Sequence, residues 1–119
     1  MTSLFNFSLG KNTDEEEKIG LPNEDKLCCT MCGSIVLDTG RAVKIRKDIN
    51  MVKNNRREYD SLETYWKVDS ILNFENIEIH SRNASLKYLT CLYCEGLILG
   101  IQYIHDPTNI LIACDRVMS

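Results

Sequence analysis

Cys29-Thr-Met-Cys32-Gly33 and, after 58 intervening residues, Cys91-Leu-Tyr-Cys94 are the stretches that decide the reading of this chain. Each holds two cysteines with a two-residue spacer. Zn2+ favours four tetrahedral ligands and accepts thiolate readily, and this spacer lets both sulfurs of one pair face a single ion. Gly33 gives the backbone the freedom that such a tight knuckle needs. Cys28 leaves a second register open, because Cys28 and Cys32 also stand at a ligand spacing. Cys29 is favoured because it repeats the same spacer in both knuckles, and Cys28 then packs as a small apolar side chain. Buried thiols or disulfides are the alternative. A redox role for one C-x-x-C pair calls for a βαβ context that this chain lacks. The expected ligands are therefore Cys29, Cys32, Cys91 and Cys94 around one Zn2+. Such a site is closed, with no open position for water, so the metal is structural. It ties the start of the domain to a distant strand and reinforces a small core.

Outward from the knuckles the pattern is that of short strands. Ser34-Ile-Val-Leu37 and Ala42-Val-Lys-Ile-Arg46 flank Asp38-Thr-Gly40 and predict a hairpin. Residues 47–63 are mostly polar and predict a mobile loop. Strand-like pieces return at Thr64-Tyr-Trp-Lys-Val68, Ile77-Glu-Ile79 and Leu86-Lys-Tyr-Leu-Thr90. Residues 96–104 and 110–114 close the chain, with Asp106-Pro-Thr-Asn109 predicted as the turn between them. Nothing after residue 25 keeps a 3.6-residue period between caps. The expected fold is mainly β: a single small domain of short antiparallel sheets over residues 26–119, around the four-cysteine zinc site. Residues 1–25 read as a disordered acidic tail, since residues 10–18 carry no apolar side chain and Gly20, Pro22 and Asn23 follow.

A chain of 119 residues is long enough for one domain. With 44% hydrophobic and 26% charged residues, its composition is that of a globular protein. Six cysteines are too dilute for a disulfide scaffold. The net charge of −3 argues against an electrostatic grip on nucleic acid. That average hides a bipolar distribution, +6 over residues 41–57 and −5 over residues 58–80, which suits a charged protein partner. The first ten residues lack a basic n-region and no apolar run reaches membrane-spanning length, so a cytoplasmic protein is expected, with no direct membrane insertion.

The residues propose no enzyme. Cys114 ends the apolar run Ile110-Leu-Ile-Ala and predicts a buried, unreactive thiol. His80 and His105 have no marked Ser or Cys partner, and no carboxylate pair stands out as acid and base.

Three blocks, in order, resemble one family. They are Leu27-Cys-Cys-Thr-Met-Cys-Gly-Ser-Ile-Val-Leu37, then Tyr65-Trp-Lys-Val-Asp69 running into Phe74-Glu-Asn76, then Leu86-Lys-Tyr-Leu-Thr-Cys-Leu-Tyr-Cys-Glu95 with Gly100 beyond. Leu111-Ile-Ala-Cys-Asp-Arg-Val117 resembles the closing strand of the same family. The family is that of the small zinc-binding Rab guanine-nucleotide exchange factors of the Mss and Dss type, also described as chaperones of nucleotide-free Rab GTPases. The resemblance implies a tent-like β fold and a surface beside the zinc that binds the switch region of a Rab-family GTPase. It implies an exchange factor without catalytic residues, acting in vesicular transport as a monomer, in the cytoplasm or peripheral to secretory membranes through its Rab. The matched contact stretch is Asp69, Phe74, Glu75 and Asn76, with Ile71 and Leu72 at positions the family fills with large apolar residues. Tyr93 stands where the family usually has an acid before the last cysteine. Ser70 replaces a second acid, and Leu97-Ile-Leu-Gly100 replaces a Gly-Pro-x-Gly. These departures bear on affinity and partner choice.

Two rivals follow from the cysteines. A zinc-bearing methionine sulfoxide reductase needs an exposed, activated thiol, and Cys114 is the candidate. A nucleic-acid-binding zinc ribbon would use residues 41–57, which lack interleaved aromatics.

Overall fold

Alternating burial along three strands assigns the two faces of the main sheet. The computed structural model describes residues 19–55, 57–94 and 96–119. Its strands are β1 (Leu27–Cys29), β2 (Ile35–Leu37), β3 (Val43–Val52), β4 (Tyr59–Val68), β5 (Ile77–Ser81), β6 (Leu86–Cys91), β7 (Ile98–Tyr103), β8 (Asp106–Ala113) and β9 (Val117–Met118). Short 3-10 turns span Ile71–Asn73 and Cys114–Arg116. The described residues form a mainly β domain with two antiparallel sheets, β2-β1-β9 and β3-β4-β8-β7-β6-β5. No helix of these residues is long and apolar enough to cross a membrane.

Leu89, Leu99, Ile110 and Ile112 pack with Leu27, Val36, Leu37 and Val117, so one face of the six-stranded sheet is covered by the small sheet. Tyr65, Tyr88, Ile101 and Leu111 point to the other face, as the two-residue period of a strand requires. There they meet Met51 and Val52 of β3, although three strands, β4, β8 and β7, lie between β3 and β6 in the sheet. The sheet is therefore strongly curled. Arg116 clamps the curl: its guanidinium donates to the carbonyls of Val52 (2.8 Å) and Ile98 (2.9 Å) and to the Asp60 carboxylate (3.1 Å).

Several local expectations are corrected. Residues 47–63 are no mobile loop, because β3 and β4 pair through them as a long hairpin. A bulge between Arg46 and Ile49 breaks the alternation that would have revealed the strand. Residues 34–37 and 42–46 do not form a hairpin with each other: β2 pairs with β1, and β3 with β4. Asp106-Pro-Thr-Asn109 is the start of β8, and the reversal is made by Ile104 and His105. Cys114 lies just past β8, half-buried at the start of a 3-10 turn, where the expectation was a buried strand position.

Folded structure also begins before Lys26. The Gly20 amide donates to the Lys44 carbonyl at 2.7 Å, and Pro22 bridges Val43 in antiparallel sense. Asn23 is buried, accepting from the Ala42 amide and donating to the carbonyls of Asp25 and Asp38. The acidic run at residues 14–17 lies outside the described residues.

Candidate metal centre and its flanking surface

Each knuckle ends a strand and is followed by a left-handed glycine. Cys29 ends β1, the Gly33 amide returns to the Cys29 carbonyl at 2.8 Å, and Gly33 holds φ of 78°. Cys91 ends β6, the Leu97 amide donates to the Cys94 carbonyl at 2.9 Å, and Gly96 holds φ of 81°. Left-handed backbone at both turns is conformation that glycine adopts without steric cost. The role of Gly33 was legible from its place after Cys32, whereas Gly96 was read only as the start of a strand.

Cys29, Cys32, Cys91 and Cys94 place their Sγ atoms within 4.8 Å of one another. Cys28 is not in this group, which resolves the register ambiguity. Cys29 Sγ lies 3.9 Å from Cys94 Sγ, and Cys32 Sγ lies 3.6 Å from Cys91 Sγ. A tetrahedral thiolate site with metal–sulfur bonds of ~2.3 Å has sulfur–sulfur edges of about 3.8 Å, so these residues fit such an ion. Disulfide bonding is excluded at these separations, and all four are free cysteines.

Ser34 was not read as part of the site. Its Oγ lies 3.0 Å from Cys32 Sγ and 3.6 Å from Cys91 Sγ. Hydrogen bonds from Ser34 draw the Cys32 thiol down to about 6. Cys94, which shares a hydrogen bond with Cys32, is pushed up to about 12, and burial raises Cys29. Negative charge in the cluster thus collects first on Cys32. The other thiols must lose protons as a metal enters, so uptake releases protons.

The stretch after β4 docks onto the centre from one side. Ser70 Oγ accepts from the Leu72 amide at 3.2 Å and starts the 3-10 turn, and Asn73 donates to Asp69 at 3.3 Å. Beyond the turn, Phe74 bridges Leu37 and the Glu75 amide donates to the Val36 carbonyl at 2.9 Å. Asn76 donates from Nδ2 to the Ile35 carbonyl at 2.8 Å, and its own carbonyl accepts from the Leu92 amide at 2.8 Å. The stretch therefore runs from β2 to the second knuckle.

This path divides the candidate contact residues in two. Ile71 and Phe74 are half-buried against the core, and Asn76 is tied to the protein's own backbone. Asp69 and Glu75 are exposed, Leu72 is 88% exposed and Tyr93 is 64% exposed. Met31 (73% exposed) and Leu92 also present apolar side chains to solvent from the knuckle spacers, and neither was singled out in the sequence. Their signal was available: apolar residues inside a metal knuckle have no core to face.

A model of the family described as Mss4 protein matches residues 22–119, which takes in both knuckles, the Asp69-to-Asn76 stretch and every strand above. The match begins at Pro22, which bridges Val43 of β3, and on this evidence the chain belongs to the Mss4 family.

Proposed function

We propose that this protein binds Rab-family GTPases in their nucleotide-free form and thereby promotes release of GDP, with one structural Zn2+ held by Cys29, Cys32, Cys91 and Cys94. Membership of the Mss4 family supports the partner class. The observation that supports the reading is the exposure of Leu72, Asp69 and Glu75 on the stretch that runs from β2 to the second knuckle, and of Tyr93 within that knuckle. Large apolar side chains this exposed add nothing to the monomer's core, and they suit a protein partner. Leu72 and Tyr93 supply apolar contact, Asp69 and Glu75 accept hydrogen bonds from an opened switch region, and Ile71, Phe74 and Asn76 hold the stretch in place. Tyr93 in place of the family's acid points to a narrower range of Rab partners.

No acid or base chemistry is needed. A protein that binds the empty GTPase more tightly than the loaded one weakens nucleotide binding by the same factor, by linkage. Such a regulator acts as a monomer in the cytoplasm, reaching secretory membranes through its GTPase in vesicular transport. The test is capture of purified Rabs, stripped of nucleotide or loaded with GDP, on the immobilised protein. Retention of at least one stripped Rab and release of its loaded form is the expected result. Equal retention of both forms, or of neither, would overturn the reading.

A further inference from the structure

An open cleft of about 400 Å3 lies between the turn after β2, the end of β4 and the 3-10 turn at Ile71–Asn73. Its walls are Gly40, Arg41, Val43, Lys67, Asp69 and Asn73. Arg41 is exposed, yet one buried side chain and its backbone fix the chain on either side of it. The Gly40 amide donates to the Asn23 carbonyl at 2.9 Å, and the Ala42 amide donates to Asn23 Oδ1 at 2.9 Å. Across the cleft, Lys67 and Asp69 line the wall while Val68 between them is fully buried, as alternation along an extended chain requires.

The walls carry two cations against one carboxylate. Among the described residues Arg41 forms no ion pair, and the Lys67 ammonium donates only to the Thr108 carbonyl, at 3.4 Å. The Asp69 carboxylate accepts from Asn73 Nδ2 at 3.3 Å. The cleft is therefore left with an excess of one positive charge. A single carboxylate balances that excess, and the planar guanidinium of Arg41 offers it two parallel hydrogen bonds. A phosphate group, at about −2, overshoots the balance and meets the Asp69 carboxylate.

Asp69 and Asn73 belong both to the cleft and to the stretch whose 3-10 turn presents Leu72 to solvent. A partner seated on Leu72 thus comes within reach of Arg41 and Lys67. We propose, resting on the Rab reading above, that the cleft receives one aspartate or glutamate side chain of the GTPase, paired with Arg41 and Lys67. This pair selects among Rabs, since a GTPase without an acid at that place leaves both cations unpaired.

The test titrates a stripped Rab that the protein captures against wild type, Arg41→Glu, and Arg41→Glu combined with Lys67→Glu, at low and high salt. Arg41→Glu should weaken the complex roughly tenfold and the double variant further, with metal content and unfolding midpoint unchanged. The loss should shrink at high salt, where such a pair is screened. Arg41→Glu alone suffices if Lys67→Glu disturbs β4. Single exchanges of surface aspartates and glutamates of that Rab to lysine then identify the occupant. One of them should bind wild type poorly and the double variant roughly tenfold better.

A stripped Rab that binds all three proteins alike at both salts would overturn the cleft as a contact and leave the Rab reading standing. Affinity lost on reversal and recovered by no exchange on the Rab would overturn the carboxylate as its occupant. Capture of no stripped Rab at all would remove the function and this pairing together.

Discussion

Asn76 donates from Nδ2 to the carbonyl oxygen of Ile35 at 2.8 Å, so a residue expected from the sequence to contact a partner spends its side chain inside its own fold. It also holds φ of 56°, left-handed backbone that Asn tolerates and Ala does not. Asn76→Ala should cost roughly 2 kcal/mol, from the unpaired Ile35 carbonyl and the backbone strain together. Asn76→Gly should cost less than Asn76→Ala, because it removes only the hydrogen bond. Urea unfolding of the three proteins tests the order, and a glycine variant no more stable than the alanine variant would show that the backbone argument is wrong.

The cysteine cluster predicts which thiols hold metal. Serine at Cys29, Cys32, Cys91 or Cys94 should release the ion and lower stability, whereas Cys28→Ser and Cys114→Ser should keep it. Ser34→Ala should weaken metal binding by roughly tenfold, as loss of a hydrogen bond to a ligand commonly does, because its hydroxyl lies 3.0 Å from Cys32 Sγ. Elemental analysis and competition with a chromophoric chelator provide the readouts. Full metal in Cys91→Ser, or undiminished affinity in Ser34→Ala, would remove that residue from the site.

The cysteines were legible because two identical spacers carry their own geometry, and the strands near them because β-branched and aromatic residues alternate there. The β3–β4 hairpin was not. Its bulge between Arg46 and Ile49 shifts the alternation midway, and its outward positions hold Lys, Asp and Asn, so the composition resembles a loop. The contact stretch was legible as a position but not as an orientation. Whether Leu72 or Phe74 faces solvent depends on a single 3-10 turn capped by Ser70 and on the bridge between Phe74 and Leu37. Neither spacing nor hydrophobicity encodes that choice. Arg116 was invisible for the same reason, as its partners Val52 and Ile98 lie far away in the chain.

That clamp sets a prediction. The Arg116 side chain is 11% exposed and satisfies two backbone carbonyls besides Asp60. Arg116→Ala leaves both carbonyls without this donor and should destabilise the protein by roughly 2–4 kcal/mol. Arg116→Lys should recover only part of the loss, because an ammonium lacks the planar fork. Hydrogen exchange at residues 52–54 should accelerate more than at β6 in either variant, and uniform acceleration would argue against a local clamp.

Gly100 sits where β7 passes closest to β8. A Cβ there would collide with the Leu111 carbonyl oxygen, and it would lie 2.7 Å from Ile112 Cδ1 and 2.9 Å from Ile112 Cα. Two of these obstacles are backbone of a paired central strand and cannot swing aside. Gly100→Ala should therefore destabilise by roughly 2–3 kcal/mol, read as a lower thermal midpoint. An unchanged midpoint would mean that the two strands can separate locally.

The surface beside the cysteines predicts a division between variants that weaken folding and variants that weaken binding. Leu72 is 88% exposed and Glu75 is also exposed, so replacing either with alanine removes little from the core. If this surface grips a nucleotide-free Rab, Leu72→Ala and Glu75→Ala should each weaken the complex by about thirtyfold, the effect of losing a ~2 kcal/mol contact. Metal content and unfolding midpoint should stay at wild-type values. Asn76→Ala should lower the midpoint and also weaken binding, and Asn76→Gly should regain part of both, because its effect passes through the path of the stretch. On the same condition, Tyr93→Asp, which puts an acid before the last cysteine, should broaden the set of Rabs bound. Titration of several stripped Rabs against these variants separates the cases. Complexes unaffected by Leu72→Ala and Glu75→Ala would move the partner surface elsewhere on the fold, whatever Rabs the protein binds.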